Sequence, residues 1–306
     1  MHHAHSHNHT HTPCSLTHSL TKTPQQHHTV TLSNRHKIAN PRQRRMHTPP
    51  RSTVNRPGQR ATVRNALEFT PDPQWSPDDV QASTIDVSKW ERHDKYVKVL
   101  SNVLTADECA QLIAVSEAAG YEQAKVNMGH KEVLMTDVRN NDRCIIDSPV
   151  TMEFIWQRLL SVVGEDDNLL RAAFCGGGRQ LHAVGLNERM RLLRYDPGTY
   201  FASHYDGSYQ RPYGAGERAG ECSYVTFQLY LNEGFEGGAT RLLNMRDESE
   251  GFNVIPQTGS VLLFQHDVYH EGSALIQGRK YALRTDVMFT TKGPGHEYTT
   301  SPIELK

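Results

Sequence analysis

The sequence predicts a mainly β protein with accessory helices (an α+β chain), and three observations carry that prediction. Between residues 190 and 289, short apolar runs follow one another closely and are separated by Gly- and Pro-containing turns, the pattern of a sandwich or barrel. Ahead of them lie two stretches with helical start and stop signals. Ahead of those, residues 1–67 hold no Asp or Glu, ten Lys or Arg and eleven of the eighteen His. The other 239 residues carry 23 basic and 34 acidic side chains, so a formal net charge of −1 conceals a basic tail joined to an acidic body.

The tail is rich in Thr, Ser, Pro, Gln and Asn and has few large hydrophobes. It buries too little apolar surface to offset its ordering entropy, and residues 1–70 are expected to be disordered. Its His-rich opening suits loose metal binding. Low-complexity drift, or an upstream start before an initiator at Met46, is the favoured reading of the opening; an organelle transit peptide is the other, although the segment lacks an amphipathic helical period. No apolar stretch follows a basic start, and no run reaches 18 apolar residues. Both secretion and membrane spanning are therefore disfavoured, and an intracellular location is expected, cytoplasmic or nuclear unless the tail is a transit peptide. Cys14, Cys109, Cys144, Cys175 and Cys222 are odd in number and form no C-x-x-C, which points to free thiols in a reducing compartment.

Residues 71–187 read as a lead-in and support helices packed on a core. Trp75 and Trp90 are isolated anchors, and residues 96–100 form a first strand. Thr105-Ala106-Asp107-Glu108 is a capping box opening a helix with Leu112, Ile113 and Val115 on its apolar face and Gly120 as its stop. A strand is expected over 133–138, then Arg139 to Arg143 as a polar link. Ser148-Pro149 starts a second helix whose stripe is Met152, Ile155, Trp156, Leu159, Leu160 and Val163, ended by Gly164. After a loop through Gly176-Gly177-Gly178, residues 188–292 make the core, with strands near 190–195, 199–206, 222–231, 239–243, 252–255, 260–265 and 279–289. Residues 293–306 are a C-terminal tail.

The chemistry concentrates in residues 190–206. Asp196-Pro197-Gly198 splits this stretch into two extended halves, and the second ends in His204-Tyr205-Asp206. Residues i and i+2 of a strand share a face, so the imidazole of His204 and the carboxylate of Asp206 project together. A second His would complete a 2-His-1-carboxylate triad, the set that leaves three positions open on Fe(II). His270 supplies it from 64 residues downstream, which requires a fold that brings distant strands together; His266, four residues earlier, is the alternative. Taken singly, each of these His residues reads as an ordinary sheet or loop histidine.

Their company is more specific. Tyr195, His204-Tyr205-Asp206, Tyr230-Leu231-Asn232, Gly237-Gly238-Ala239-Thr240, His270 and Lys280 occur in an order that resembles the catalytic half of the Fe(II)/2-oxoglutarate dioxygenases of the prolyl 4-hydroxylase type, over residues 138–292. The resemblance implies a double-stranded β-helix, or jelly roll, with the two helices outside one sheet. It implies Fe(II) held by His204, Asp206 and His270, 2-oxoglutarate and O2 as co-substrates, and ascorbate as reductant. The far carboxylate of 2-oxoglutarate would be anchored by Lys280 and Tyr230, with Tyr195 lining the pocket or merely packing in the sheet. Residues 280, 282, 284 and 286 share a face, so Arg284 is a second candidate for that anchor; it would otherwise meet the metal-end carboxylate, an acidic substrate, or Asp286. Arg279 would face solvent, and Arg139 and Arg143 resemble the family's substrate-side strand or form a salt-bridged surface.

The implied reaction is hydroxylation of a C–H bond with release of succinate and CO2, with a peptidyl proline as the leading substrate and a small molecule as the other. The loop over residues 207–220, with its tyrosines and arginines, suits a substrate clamp. Two other readings differ in class. One is a metal enzyme on the same scaffold without 2-oxoglutarate, against which Lys280 and Tyr230 speak. The other is a non-catalytic jelly-roll module whose basic tail binds nucleic acid, a weak electrostatic signal without interleaved aromatics.

Overall fold

Alternation along three adjacent strands sets the architecture. The computed structural model describes residues 69–91, 95–128, 131–164, 167–171 and 181–291; residues 1–68 of the expected disordered tail, the triple-glycine loop, Cys14, Cys175 and residues 293–306 lie outside them, whereas Phe69, the tail's next residue, packs against Phe154 on the core. The strands are β1 (Ala82–Thr84), β2 (Val97–Leu100), β3 (Glu122–Gln123), β4 (Val126–Asn127), β5 (Glu132–Val133), β6 (Asp142–Asp147), β7 (His182–Leu186), β8 (Arg189–Tyr195), β9 (Phe201–His204), β10 (Cys222–Tyr230), β11 (Glu236–Gly237), β12 (Thr240–Asn244), β13 (Asp247–Val254), β14 (Val261–Gln265), β15 (His270–Gly272), β16 (Leu275–Gln277) and β17 (Lys280–Thr290). The helices are α1 (Ala106–Ala119), α2 (Pro149–Val162) and α3 (Asn168–Arg171).

The larger sheet runs β1-β2-β14-β10-β17-β8-β6-β3, with β7 also paired to β17; the smaller runs β13-β12-β15-β9. In β10, β14 and β17 one set of alternate residues (Val225, Phe227, Leu229, Val261, Leu263, Leu283, Val287) packs with Leu112 of α1 and Met152, Ile155 and Leu159 of α2. The other set (Tyr230, Leu262, Phe264, Ala282) faces Leu242 and Val254 of the smaller sheet. Strands with both faces buried, one under helices and one under a second sheet, make a jelly roll with its helices outside one sheet. The larger sheet also takes in β2, β6 and β7, so the segment before residue 188 contributes strands as well as helices.

The capping box forms as the sequence predicts: the Glu108 N–H donates to the Thr105 hydroxyl at 3.4 Å and the Thr105 N–H to Glu108 Oε2 at 2.9 Å. The buried face of α1 is Glu108, Cys109, Leu112 and Ser116, whereas Ile113 and Val115 are only partly buried. Glu108 turns inward because Arg158 of α2 grips it with both terminal nitrogens, at 2.6 and 2.7 Å. The strand expected over 133–138 is reduced to β5, and the ladder instead runs through β6, which pairs with β8 from Asp142↔Arg194 to Asp147↔Arg189. Ion pairs close both ends of that ladder, Arg194–Asp142 at 2.8 Å and Arg189–Asp147 at 2.8 Å. A pairing fixed by cross-strand partners leaves little trace in local periodicity. Among the described residues Cys109, Cys144 and Cys222 are free thiols, and no described helix is long and apolar enough to cross a membrane.

Candidate metal centre

β9 and β15 are neighbours in the smaller sheet, and their register sets His270 directly opposite His204. The ring centroids lie 4.3 Å apart. Asp206 leaves the end of β9, its N–H donating to the His266 carbonyl at 2.9 Å, and its carboxylate returns to both rings: His204 Nε2–Oδ1 is 3.4 Å and His270 Nε2–Oδ2 is 3.8 Å. One donor atom from each of the three lies within 4.8 Å of the others.

The rings are fixed from behind. His204 Nδ1 donates to the Ala202 carbonyl at 2.7 Å and His270 Nδ1 to the Val268 carbonyl at 3.0 Å, so each Nε2 is the acceptor edge turned to the shared point. Phe201 stacks on His204 at 3.7 Å and Phe264 sits edge-on to His270 at 4.5 Å. Burial holds His270 down to about 4, so it is neutral at physiological pH. Burial alone would push the Asp206 carboxyl up, but Arg284, His270 and His204 outweigh it and keep the acid well below the usual carboxylate range. His204 Nε2 is buried with no hydrogen-bond partner. Two imidazoles and one carboxylate on a single face, one imidazole nitrogen orphaned, fit a divalent iron with open positions.

At the far end of the same cavity lies Lys280, the first residue of β17, 1% exposed. Its Nζ donates to the Gly238 carbonyl at 2.6 Å and stands 5.0 Å from the Tyr195 ring and 5.5 Å from that of Tyr230. Among the described residues no carboxylate pairs with it, and burial pushes the amine down to about 7. Gly238 has φ +66°, and a Cβ there would stand 3.0 Å from Leu275 and 3.3 Å from the Lys280 stem, so the Gly237-Gly238 turn makes room for the lysine.

Residues 190–285 match the family model described as the 2OG-Fe(II) oxygenase superfamily. This stretch is a 2OG-Fe(II) oxygenase domain. The reagents of that family are Fe(II), 2-oxoglutarate and O2. Among solved structures the chain is similar to a Pseudomonas putida prolyl-4-hydroxylase (18% identity, 62% of this chain and 91% of that one, TM-score 0.44). It is also similar to a Trichoplax adhaerens prolyl hydroxylase in complex with a hypoxia inducible factor oxygen degradation domain peptide fragment (17%, 62% and 82%, 0.43). A third is the viral collagen prolyl hydroxylase of Paramecium Bursaria Chlorella virus-1 in its 2OG complex (18%, 63% and 96%, 0.38). No curated protein matches the chain.

In the oxygenase domain the other residues singled out from sequence fall as follows. Tyr195 is buried and lines the cavity. Tyr230 is fully buried, and its hydroxyl donates to Thr240, which does line the cavity. Arg284 sits at the metal end: its Nη2 contacts Asp206 Oδ1 at 2.7 Å, while Asp286 pairs with Arg191 at 3.1 Å. His266 is turned to Asp286, Nε2 to Oδ1 3.7 Å, and both its ring nitrogens lack hydrogen-bond partners. Arg279 is half exposed but ion-paired to Asp196 at 2.6 Å. Arg139 is buried, its guanidinium 4.4 Å over the Phe201 ring, and it lines the cavity; Arg143 pairs with Glu132 at 3.1 Å.

Sequence reasoning missed two groups: Thr226 donates its hydroxyl to Asp206 Oδ2, and Gln228 lines the cavity, as does Thr240 of the glycine-turn motif. The period-2 rule from Tyr230 back along β10 identifies 226 and 228 as inward-facing, which is the signal that would have found them. In the 207–220 loop the arginines serve the loop itself: Arg211 pairs with Glu188 and, at 2.6 Å, with Glu221, and Arg218 approaches Glu221 at 3.3 Å. Tyr209 and Tyr213 remain exposed, the latter at 93%.

Proposed function

We propose that this protein hydroxylates a C–H bond of a peptidyl proline in an Fe(II)- and 2-oxoglutarate-dependent reaction, with His204, Asp206 and His270 as the metal ligands. The observation that carries the reading is a buried lysine, without an acidic partner among the described residues, lining one cavity with the two imidazoles that Asp206 joins. Bound there, iron and co-substrate supply the oxidation, with 2-oxoglutarate leaving as succinate and CO2. The chain's part is to bind, orient and keep dry. Lys280 grips the far carboxylate of 2-oxoglutarate, with the Tyr230–Thr240 hydroxyl pair and Tyr195 beside it. Phe201 and Phe264 shield the imidazoles, and Thr226 fixes Asp206. Ascorbate is the expected reductant in sustained turnover.

The catalytic body is residues 188–292, supported by residues 71–187. The peptide reading rests on the exposed Tyr209 and Tyr213 of the loop beside the triad. Anaerobically prepared protein with Fe(II), 2-oxoglutarate and ascorbate, given O2 and a panel of proline-containing peptides, should form succinate and add one oxygen to a peptide. Succinate formation that persists in His204→Ala would sink the ligand assignment. Turnover with small metabolites and none with any peptide would sink the substrate.

A further inference from the structure

Arg284 is a cavity side chain that the reading above leaves without a task. Its Nη2 donates to Asp206 Oδ1 at 2.7 Å, the oxygen that also faces His204 Nε2 at 3.4 Å. Thr226 holds the other oxygen, Oδ2, so the carboxylate cannot rotate to present a different one. The choice of partner is informative. Asp286, two residues on and on the same face of β17, is bound to Arg191 at 3.1 Å, which leaves Arg284 to Asp206. Arg284 Nε is buried with no hydrogen-bond partner, and the side chain lines the cavity that runs from the imidazoles to Lys280. A buried donor left without an acceptor beside a cavity calls for an explanation.

We propose that Arg284 competes with the divalent metal for Asp206 and, displaced from it, donates to the carboxylate at the metal end of the bound 2-oxoacid. The inference rests on the metal-centre reading above. Its physical basis is that like charges a few ångströms apart in a poorly solvated cavity repel strongly, so guanidinium and metal cannot share one carboxylate oxygen without cost. The planar fork of an arginine then finds its match in the co-substrate carboxylate.

The sign of one measurement separates this from a supporting role. A residue that merely orients a ligand weakens metal binding when removed, by about 10–100-fold; a competing cation strengthens it when removed. Mn(II), titrated into the full chain without O2 and read by electron paramagnetic resonance, should bind R284Q about tenfold more tightly than wild type. 2-Oxoglutarate, titrated calorimetrically into the Mn(II)-loaded proteins, should bind R284Q about tenfold more weakly. Mn(II) should also raise the melting temperature of R284Q more than that of wild type. Weaker Mn(II) binding by R284Q, or unchanged 2-oxoglutarate affinity, overturns the proposal. Should R284Q fail to fold, R284K carries the test: it keeps the charge but lacks the fork, and undiminished 2-oxoglutarate affinity there overturns it. A folded wild type that takes up no Mn(II) brings down the metal-centre reading, and this inference with it.

Discussion

Replacing Lys280 with Met should make the ligand-free protein more stable while abolishing its grip on 2-oxoglutarate. Lys280 is 1% exposed and has no anionic partner among the described residues, and burial pushes its pKa down from 10.5 to about 7. A displacement of that size corresponds to a ceiling of about 5 kcal/mol against the charged folded form. The Gly238 carbonyl at 2.6 Å and the Tyr195 and Tyr230 rings return part of this, so about 2–4 kcal/mol is a reasonable expectation. For a domain of this size that is a rise in melting temperature of about 5–10 °C at pH 7. The folded state binds fewer protons than the unfolded state between pH 7 and 10.5, so wild-type stability should climb with pH across that window, and K280M should lack the slope. The ligand should reverse the order. In the Mn(II)-loaded protein 2-oxoglutarate should stabilise wild type but not K280M. Above pH about 7 its binding should take up a proton, measured by calorimetry in buffers of different ionisation enthalpy. A K280M protein that melts below wild type at pH 7, or a wild-type melting curve flat from pH 7 to 10, would refute the reasoning.

The remaining expectations concern neighbouring links. Thr226→Val removes the hydroxyl that holds Asp206 Oδ2 and should weaken Mn(II) binding by about tenfold or more with little change in melting temperature. His204→Ala should lose Mn(II) binding, since two ligands remain, and leave the fold intact because the side chain is partly exposed at 18%. Glu108→Gln leaves the Arg158 guanidinium buried without its bidentate partner; chemical denaturation should show a loss of about 3–5 kcal/mol. An unchanged midpoint would mean that the pair only replaces what water provides.

Most of the fold was legible because the deciding signals are local. The capping box at Thr105 and Glu108, the Ser148-Pro149 start and the alternating residues of β10, β14 and β17 each declare themselves within a few positions. What escaped was set by partners far along the chain. β6 exists because Asp142 and Asp147 meet Arg194 and Arg189 on β8, and the inward turn of Glu108 depends on Arg158, fifty residues away. The site divides in the same way. His204 and Asp206 share a face by strand geometry alone, whereas the meeting of His270 with His204 is set by register, β15 pairing with β9, while His266 turns to Asp286. Thr226 stayed hidden because a threonine inside an apolar strand gives no sign of the acid it will meet.

The inner face of β17 explains why function could be read from a lysine more safely than from a histidine. Lys280 and Arg284 line the cavity and Asp286 is buried further along the same strand, and a charge in such a place needs a counter-charge. Asp286 has Arg191 and Arg284 has Asp206. Lys280 has a backbone carbonyl and two aromatic rings, and no acid among the described residues. Histidines are tolerated in protein interiors as neutral groups, so His204 and His270 alone leave a structural role open. A buried ammonium without a partner is costly to keep, and the cost is intelligible when an anion arrives to offset it. That imbalance, more than the motif beside it, supports the proposal that the cavity is a binding site. The same accounting singles out Arg284, whose partner Asp206 is the group a metal would claim.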